Sequence, residues 1–229
     1  MTELFQIAIF PIVLTLTAFR IGQLCQKKWP HPLCNPTLIA MILVVVFLLA
    51  TGMDVKTYAS GAQYLSWLMT PATISLAIPM YEQFQVLRKS LAAVVIGVTA
   101  GSLACLVFLL AGGILLSLEP QIVVSFLPKS ITTAIGVPLS ELFGGLGALT
   151  TAAIIVTGIL GNMLGSSLCK LLRITDPVAQ GVAFGTSAHV IGTSRAGELS
   201  PLAGAAGSLS LVVAGLLTAL LFPMLHSFL

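Results

Sequence analysis

The sequence predicts an all-α polytopic membrane protein, with about six full transmembrane helices and two discontinuous or re-entrant helical segments arranged as an inverted repeat. Three observations predict it. Hydrophobic residues make up 57% of the 229 residues and charged residues only 7%, where a soluble domain carries roughly a quarter charged. Mean hydropathy is +1.08, and apolar runs of bilayer-crossing length recur along the chain. Between the later runs lie two polar stretches broken by proline or glycine, PKSITTAIGVP from Pro128 to Pro138 and GTSAHVIGTSRAGEL from Gly185 to Leu199. Irregular backbone at membrane depth is tolerated only where protein buries it or a watery cavity solvates it, so both stretches read as the lining of a site.

The first span is Leu4 to Leu24, interrupted only by Arg20, which can snorkel to the interface. Its basic residues follow the apolar run and Glu3 precedes it, the reverse of a cleaved targeting signal. The loop Gln26 to Pro36 holds Pro30, Pro32 and Pro36 and cannot continue a helix. A second span covers Thr37 to Gly52. The third, Tyr64 to Met80, contains Pro71 and Pro79 and is expected to kink, closed by Arg88 and Lys89. The fourth, Leu91 to Leu118, carries Gly97-x-x-x-Gly101 for close helix packing. A fifth runs from Leu146 to Leu172 with Gly161-x-x-x-Gly165, and a sixth from Leu202 to Phe228. Asp176-Pro177 reads as a helix start, proline being suited to the first helical position.

The two polar stretches superpose at a shift of 57 residues, pairing Ser130 with Ser187, Glu141-Leu142 with Glu198-Leu199, Gly147 with Gly204 and Gly158 with Gly215. Each is followed by one long apolar helix. If those helices run in opposite directions the second unit enters from the opposite side, the arrangement of inverted-repeat transporters with midplane sites between broken helices. The alternative is a chance pairing of low-complexity apolar sequence. With six crossings, Arg20/Lys27/Lys28, Arg88/Lys89 and Lys170/Arg173 fall on one side, the cytoplasmic one by the positive-inside rule. Eight crossings would put Lys170 and Arg173 outside.

The net charge of +3 is no nucleic-acid signal, because the basic residues are isolated or paired at segment ends. Cys25, Cys34, Cys105 and Cys169 show no metal spacing and read as small apolar residues. No metal, cofactor or enzyme motif stands up: Ser167 to Lys170 matches S-x-x-K without its companion motifs, Lys129-Ser130 lacks the glycines of a phosphate loop, and Pro36 spoils Asn35 as a glycosylation site.

Lys129, His189 and Arg195 are the cations in or beside the polar stretches, and an ionisable group inside a membrane is by default a functional hypothesis. Beside hydroxyls and half-helix N-termini they suit a small anion. Arg195 can hold a carboxylate through two parallel hydrogen bonds, or it can pair with Glu198 on its own helix face. Ser130, Thr132, Thr133, Ser187, Thr193 and Ser194 can satisfy remaining lone pairs. Lys129 has the alternative of snorkelling to an interface. His189 is either a titrating group or a hydrogen-bonded interior histidine. Glu141, Glu198 and His189 are the candidates for proton coupling.

Asn35-Pro36, PATISLAIPMYEQ (Pro71 to Gln83), PKSITT (Pro128 to Thr133), TGILG (Thr157 to Gly161) and GTSAHVIGTSRAGE (Gly185 to Glu198) resemble the LrgB/CidB family of bacterial membrane proteins. The chain departs from many relatives at Ala134, where they carry proline. The resemblance implies a single LrgB-like transmembrane domain over residues 1–229, multi-pass in the cell inner (plasma) membrane, alongside an LrgA/CidA-like membrane partner. It implies one of two functions: transport of small monocarboxylates such as pyruvate, lactate, glycolate or glycerate, or antiholin-like modulation of murein hydrolases and autolysis. The costly cations and hydroxyls at two matching positions favour the carrier. Small residues on helix faces favour a homodimer.

Overall fold

The structure, a computed structural model, describes residues 2–29 and 34–228, and every regular element among them is a helix. Pro30 and Pro32 of the first loop lie outside the described residues. The chain forms two compact units, residues 1–75 and 76–229.

In the first unit, α1 (Thr2–Lys28), α2 (Pro36–Thr51), α3 (Val55–Trp67) and α4 (Met69–Ser75) follow in order. Asn35 caps α2, its Oδ1 accepting from the Thr37 and Leu38 amides at 2.9 and 3.2 Å. The capped helix starts tight against α1, where Gly22 lies against the Pro36 backbone and leaves no room for a side chain. Thr15 and Tyr58 share a hydrogen bond of 2.7 Å, tying α1 to α3.

The expected third span is not one helix. It is divided into α3, α4 and α5 (Ala77–Glu82), and the prolines account for the breaks. A proline removes the hydrogen bond to the carbonyl four residues back and clashes with it. Those carbonyls belong to Trp67 for Pro71 and to Ser75 for Pro79, which are the last residues of α3 and α4. Of the six expected spans, four helices are long and apolar enough to cross a membrane: Ile9–Lys28 within α1, α6 (Phe84–Leu115), α9 (Gly147–Leu171) and α11 (Pro201–His226). The α2 helix is apolar but has only 16 residues, below the ~20 a crossing needs. Arg88 and Lys89 lie within the first turns of α6 rather than closing the preceding span.

The second unit contains the repeat. Its first copy is α7 (Pro120–Phe126) and α8 (Thr133–Leu142), followed by α9. The second is α10 (Pro177–Leu199), followed by α11. Both copies begin on proline, Pro120 and Pro177, and both broken segments end on leucine, Leu142 and Leu199, at the same 57-residue offset. The second break falls at Ala188 (φ −133°, ψ 20°) and His189 (φ 43°, ψ −137°), opposite Ile131 and Thr132 at the end of the first.

Each broken segment doubles back. A β-carbon on Gly192 would lie 2.5 Å from the Phe184 carbonyl, and one on Gly136 would lie 3.3 Å from the Pro128 carbonyl. Residues at that sequence separation are about 12 Å apart in a straight helix. Both segments are therefore helical hairpins that enter and leave on one side.

The long helices fix which side. Along α9, Leu146 donates to Ser125 Oγ at 2.7 Å, Ile154 reaches Gly136, Gly158 meets the His189 ring, Gly161 meets Ala188, and Gly165 meets Phe184. So α9 runs from the base of the first hairpin to the second. Along α11 the order is reversed: Ala203 and Gly204 abut Gly181 and Gly197, Gly215 abuts Ile135, and Phe222 packs with Val124 and Leu127. The two helices are antiparallel, and the repeat is inverted.

Small residues make this packing possible. Gly97 and Gly101 of α6 receive Val182 and Thr186, while Gly161 and Gly165 of α9 receive Ala188 and Phe184. The first limb of α10 is thus clamped between two G-x-x-x-G faces, the close approach such pairs permit. The outer faces of these helices carry Ile96, Phe108, Leu216 and Leu220, all exposed, as a lipid-facing surface requires.

Candidate functional site

The α6 helix passes both hairpins in order and locates their tips. Leu87 packs with Ala205 and Ala206 near the base of the second hairpin, Gly97 meets Val182, and Gly101 meets Thr186 at its tip. One turn further, Cys105 Sγ lies 3.5 Å from Ser130 Oγ at the tip of the first hairpin. Beyond that, Leu106 packs with Leu127 and Gly113 meets Val123 near the first hairpin's base. The two tips therefore face each other about 6 Å apart along the axis of α6. Gly101 and Cys105 lie just past the middle of that helix, which spans residues 84 to 115.

A cavity of about 730 Å³ opens at this meeting point. Its walls are largely apolar, including Leu160, Leu164, Val182 and Phe184. Its polar side chains are Lys129 and Ser130 from the first hairpin, Thr157 from α9, and Thr186 and Ser187 from the second.

Sequence reasoning named three of these residues, Lys129, Ser130 and Ser187. Lys129 is half-buried, its Nζ is 3.4 Å from Ser130 Oγ, and it has no carboxylate partner among the described residues. Proline at 128 explains its placement. Pro128 ends α7 by withholding an amide, and the tight turns that follow, Lys129 N to Phe126 O and Ile131 N to Pro128 O, set Lys129 and Ser130 on the tip. Ser187 Oγ donates back to the Ala183 carbonyl at 2.6 Å and keeps its lone pairs for the cavity.

The other expected ligands do not line the cavity. Thr132 is the N-cap of α8, its carbonyl accepting from Gly136 at 2.8 Å, and Thr133 begins that helix. Thr193 is buried and donates to the His189 carbonyl at 2.8 Å. Ser194 is exposed and donates to Val190 O. Arg195 pairs with Glu198 at 2.5 Å and donates to Ser166 Oγ at 3.2 Å, so its guanidinium fork is committed within its own surroundings.

His189 is buried at the second tip, its Nε2 3.0 Å from the Ile154 carbonyl of α9. The carbonyl accepts only, so Nε2 carries the proton. Its φ of 43° with ψ of −137° is a region that costs a non-glycine residue about 1–3 kcal/mol. The ring bond and the Thr193 bond hold it there. Gly158, bare of a side chain, supplies the space for the ring. Of the three proton-coupling candidates, Glu141 is exposed beside Gly147 at the first hairpin's base, Glu198 is tied to Arg195, and His189 alone lies at a tip.

Sequence reasoning missed Cys105, Thr157 and Thr186. Thr186 adjoins Ser187 in the same motif, but only the hairpin fold shows that it faces the first tip. Cys105 and Thr157 sit in apolar runs with no local signal.

Lysine and arginine divide the ends of this unit. Arg88 and Lys89 at the start of α6 and Lys170 and Arg173 at the end of α9 lie at the second hairpin's base, beside Asp176 and Glu198, whereas among the described residues the first hairpin's base carries Glu119 and Glu141 and no lysine or arginine.

The model of the LrgB-like family matches residues 15–228, nearly the whole chain. No solved structure matches it.

Proposed function

For a chain that belongs to the LrgB-like family, we propose a carrier of small monocarboxylates, of the pyruvate, lactate, glycolate or glycerate kind, working by alternating access in the inner membrane. The observation that carries this reading is Lys129, an ammonium without a carboxylate partner where two oppositely directed hairpins meet. An unpaired cation at that depth is costly, and an anion relieves the cost. The carboxylate rests against Lys129 and Ser130, with Thr157 as a further donor, and the carbon skeleton rests on the leucines of α9. Ser187, whose proton goes to Ala183, offers only lone pairs to a substrate hydroxyl. A pore needs no such group.

The inverted arrangement supplies the two gates. The first hairpin closes the site from one side and the second from the other, so movement of either exposes it to one compartment. By the positive-inside rule, the second hairpin's base faces the cytoplasm. A homodimer and an LrgA/CidA-like membrane partner belong to this proposal, as does the absence of an enzymatic step.

The test is uptake of labelled pyruvate, lactate, glycolate and glycerate by liposomes containing the purified chain, with and without a pH gradient, and with an entrapped dye. Saturable uptake without dye release is expected. Unselective dye release would support the antiholin-like alternative instead.

A further inference from the structure

Beside the large cavity, and sharing Cys105, Ser130 and Thr186 with it, lies a chamber lined also by Ser102, Ile131 and Thr218. It offers about 10 Å³ to the centre of a water-sized species, room for a single one.

One hydroxyl at the chamber stands out. Many helical serines and threonines here donate to the carbonyl one turn back, among them Ser125 to Gln121, Thr193 to His189, Ser208 to Gly204 and Ser210 to Ala206. Thr186 Oγ1 does not: it is buried, in a residue only 8% exposed, with no hydrogen-bond partner among the described residues. Ser102 and Thr218, also buried, turn onto the same chamber. A hydroxyl left unpaired in the interior is expensive and calls for a ligand.

The charge of that ligand follows from what is missing. Lys129 lines the large cavity but not the chamber, whose donors are all neutral. A metal cation there would face the nearby ammonium with no carboxylate to balance it, and a carboxylate is too large for the space. What fits is one uncharged oxygen. Ser130 faces both spaces, so that oxygen belongs to the carbon next to a carboxylate held at Lys129.

We infer that Ser102, Thr186 and Thr218, together with Ser130, form a subsite for a neutral oxygen at C2 of the substrate, and that this subsite selects 2-hydroxy and 2-oxo acids over unsubstituted ones. The inference rests on the carrier reading. A site built to hydrogen-bond such an oxygen rejects an analogue lacking it, because its own buried groups are then left unpaired.

Uptake of lactate, pyruvate and propionate into liposomes tests it. The wild-type chain is expected to favour lactate and pyruvate over propionate at least tenfold in kcat/KM. In Thr186→Val and in Ser102→Ala the lactate-to-propionate ratio should fall towards one. A second readout uses thermal unfolding in detergent. Thr186→Val should melt at a higher temperature than wild type without substrate, because the unpaired hydroxyl is gone, and lactate should no longer raise its melting temperature. Equal uptake of propionate and lactate by the wild type, or full selectivity in both variants, would overturn the subsite and leave the carrier standing. No saturable uptake of any of the three acids would remove the carrier reading, and the subsite with it.

Discussion

The two hairpins are copies in sequence but not in duty. The first ends in tight turns around Pro128 and presents to the cavity a hydroxyl and an ammonium with no carboxylate partner among the described residues. The second makes its turn at one strained residue, fastens that residue to α9 through the His189 ring, and seats its first limb between two glycine faces. In the proposed carrier one hairpin supplies the chemistry and the other the frame. A weak internal repeat thus predicts shared geometry, while the placement of function must be read from what each copy's side chains are already bonded to.

The largest expected effect attacks the frame. A β-carbon on Gly185 would collide with the Gly207 backbone of α11, and backbone cannot step aside as a side chain can. Gly185→Val should cost about 3 kcal/mol or more, at or beyond the upper range for overpacking, read as loss of monodisperse, cooperatively melting protein in detergent. Wild-type melting would show that the limb does not seat as described.

Next comes the chemistry. Lys129→Met should melt no lower than wild type without substrate, because a costly unpaired cation is gone, and reduce uptake roughly 30- to 150-fold, the loss of a charged hydrogen bond worth about 2–3 kcal/mol. Unchanged uptake would return Lys129 to a mere surface role.

The turn of the second hairpin separates strain from bonding. Both His189→Gly and His189→Ala lose the bond to Ile154, but glycine tolerates φ 43° and alanine does not. His189→Gly should therefore melt higher than His189→Ala, by about 1 kcal/mol. The reverse order would mean that the tip is not held in that conformation.

The smallest effect concerns Arg195. Its ion pair is partly exposed, with side chains 31% and 63% accessible for Arg195 and Glu198, and such pairs are worth about 0–1 kcal/mol. Arg195→Ala should change uptake by no more than roughly threefold, whereas a carboxylate-gripping arginine would lose nearly all of it.

Much of the fold was legible in the sequence. Hydropathy located α1, α2, α6, α9 and α11, and the repeat offset aligned the two broken segments, because both signals are local. The third span was misjudged in degree, since two prolines four residues beyond Trp67 and Ser75 divide the segment rather than bend it. At the first tip Pro128 and Lys129 stand out in an apolar context, and the structure sets Lys129 and Ser130 at the cavity. The site was not legible for Thr193, Ser194 and Arg195, whose composition looked equally functional but whose partners are the His189 and Val190 carbonyls, Ser166 and Glu198. Nor was it for Ser102, Cys105, Thr157, Thr186 and Thr218, which become a site only when four separate elements converge.

The most direct test of the tip-to-tip site is cysteine accessibility in a chain whose four native cysteines are replaced by alanine. Single cysteines at Ser130 and at Thr186 are labelled in membrane vesicles of both orientations, with and without excess lactate. The account predicts that each is reached by an impermeant thiol reagent from both sides in turn, and that lactate protects both. Labelling confined to one side for each position, untouched by substrate, would contradict a shared site between the hairpins.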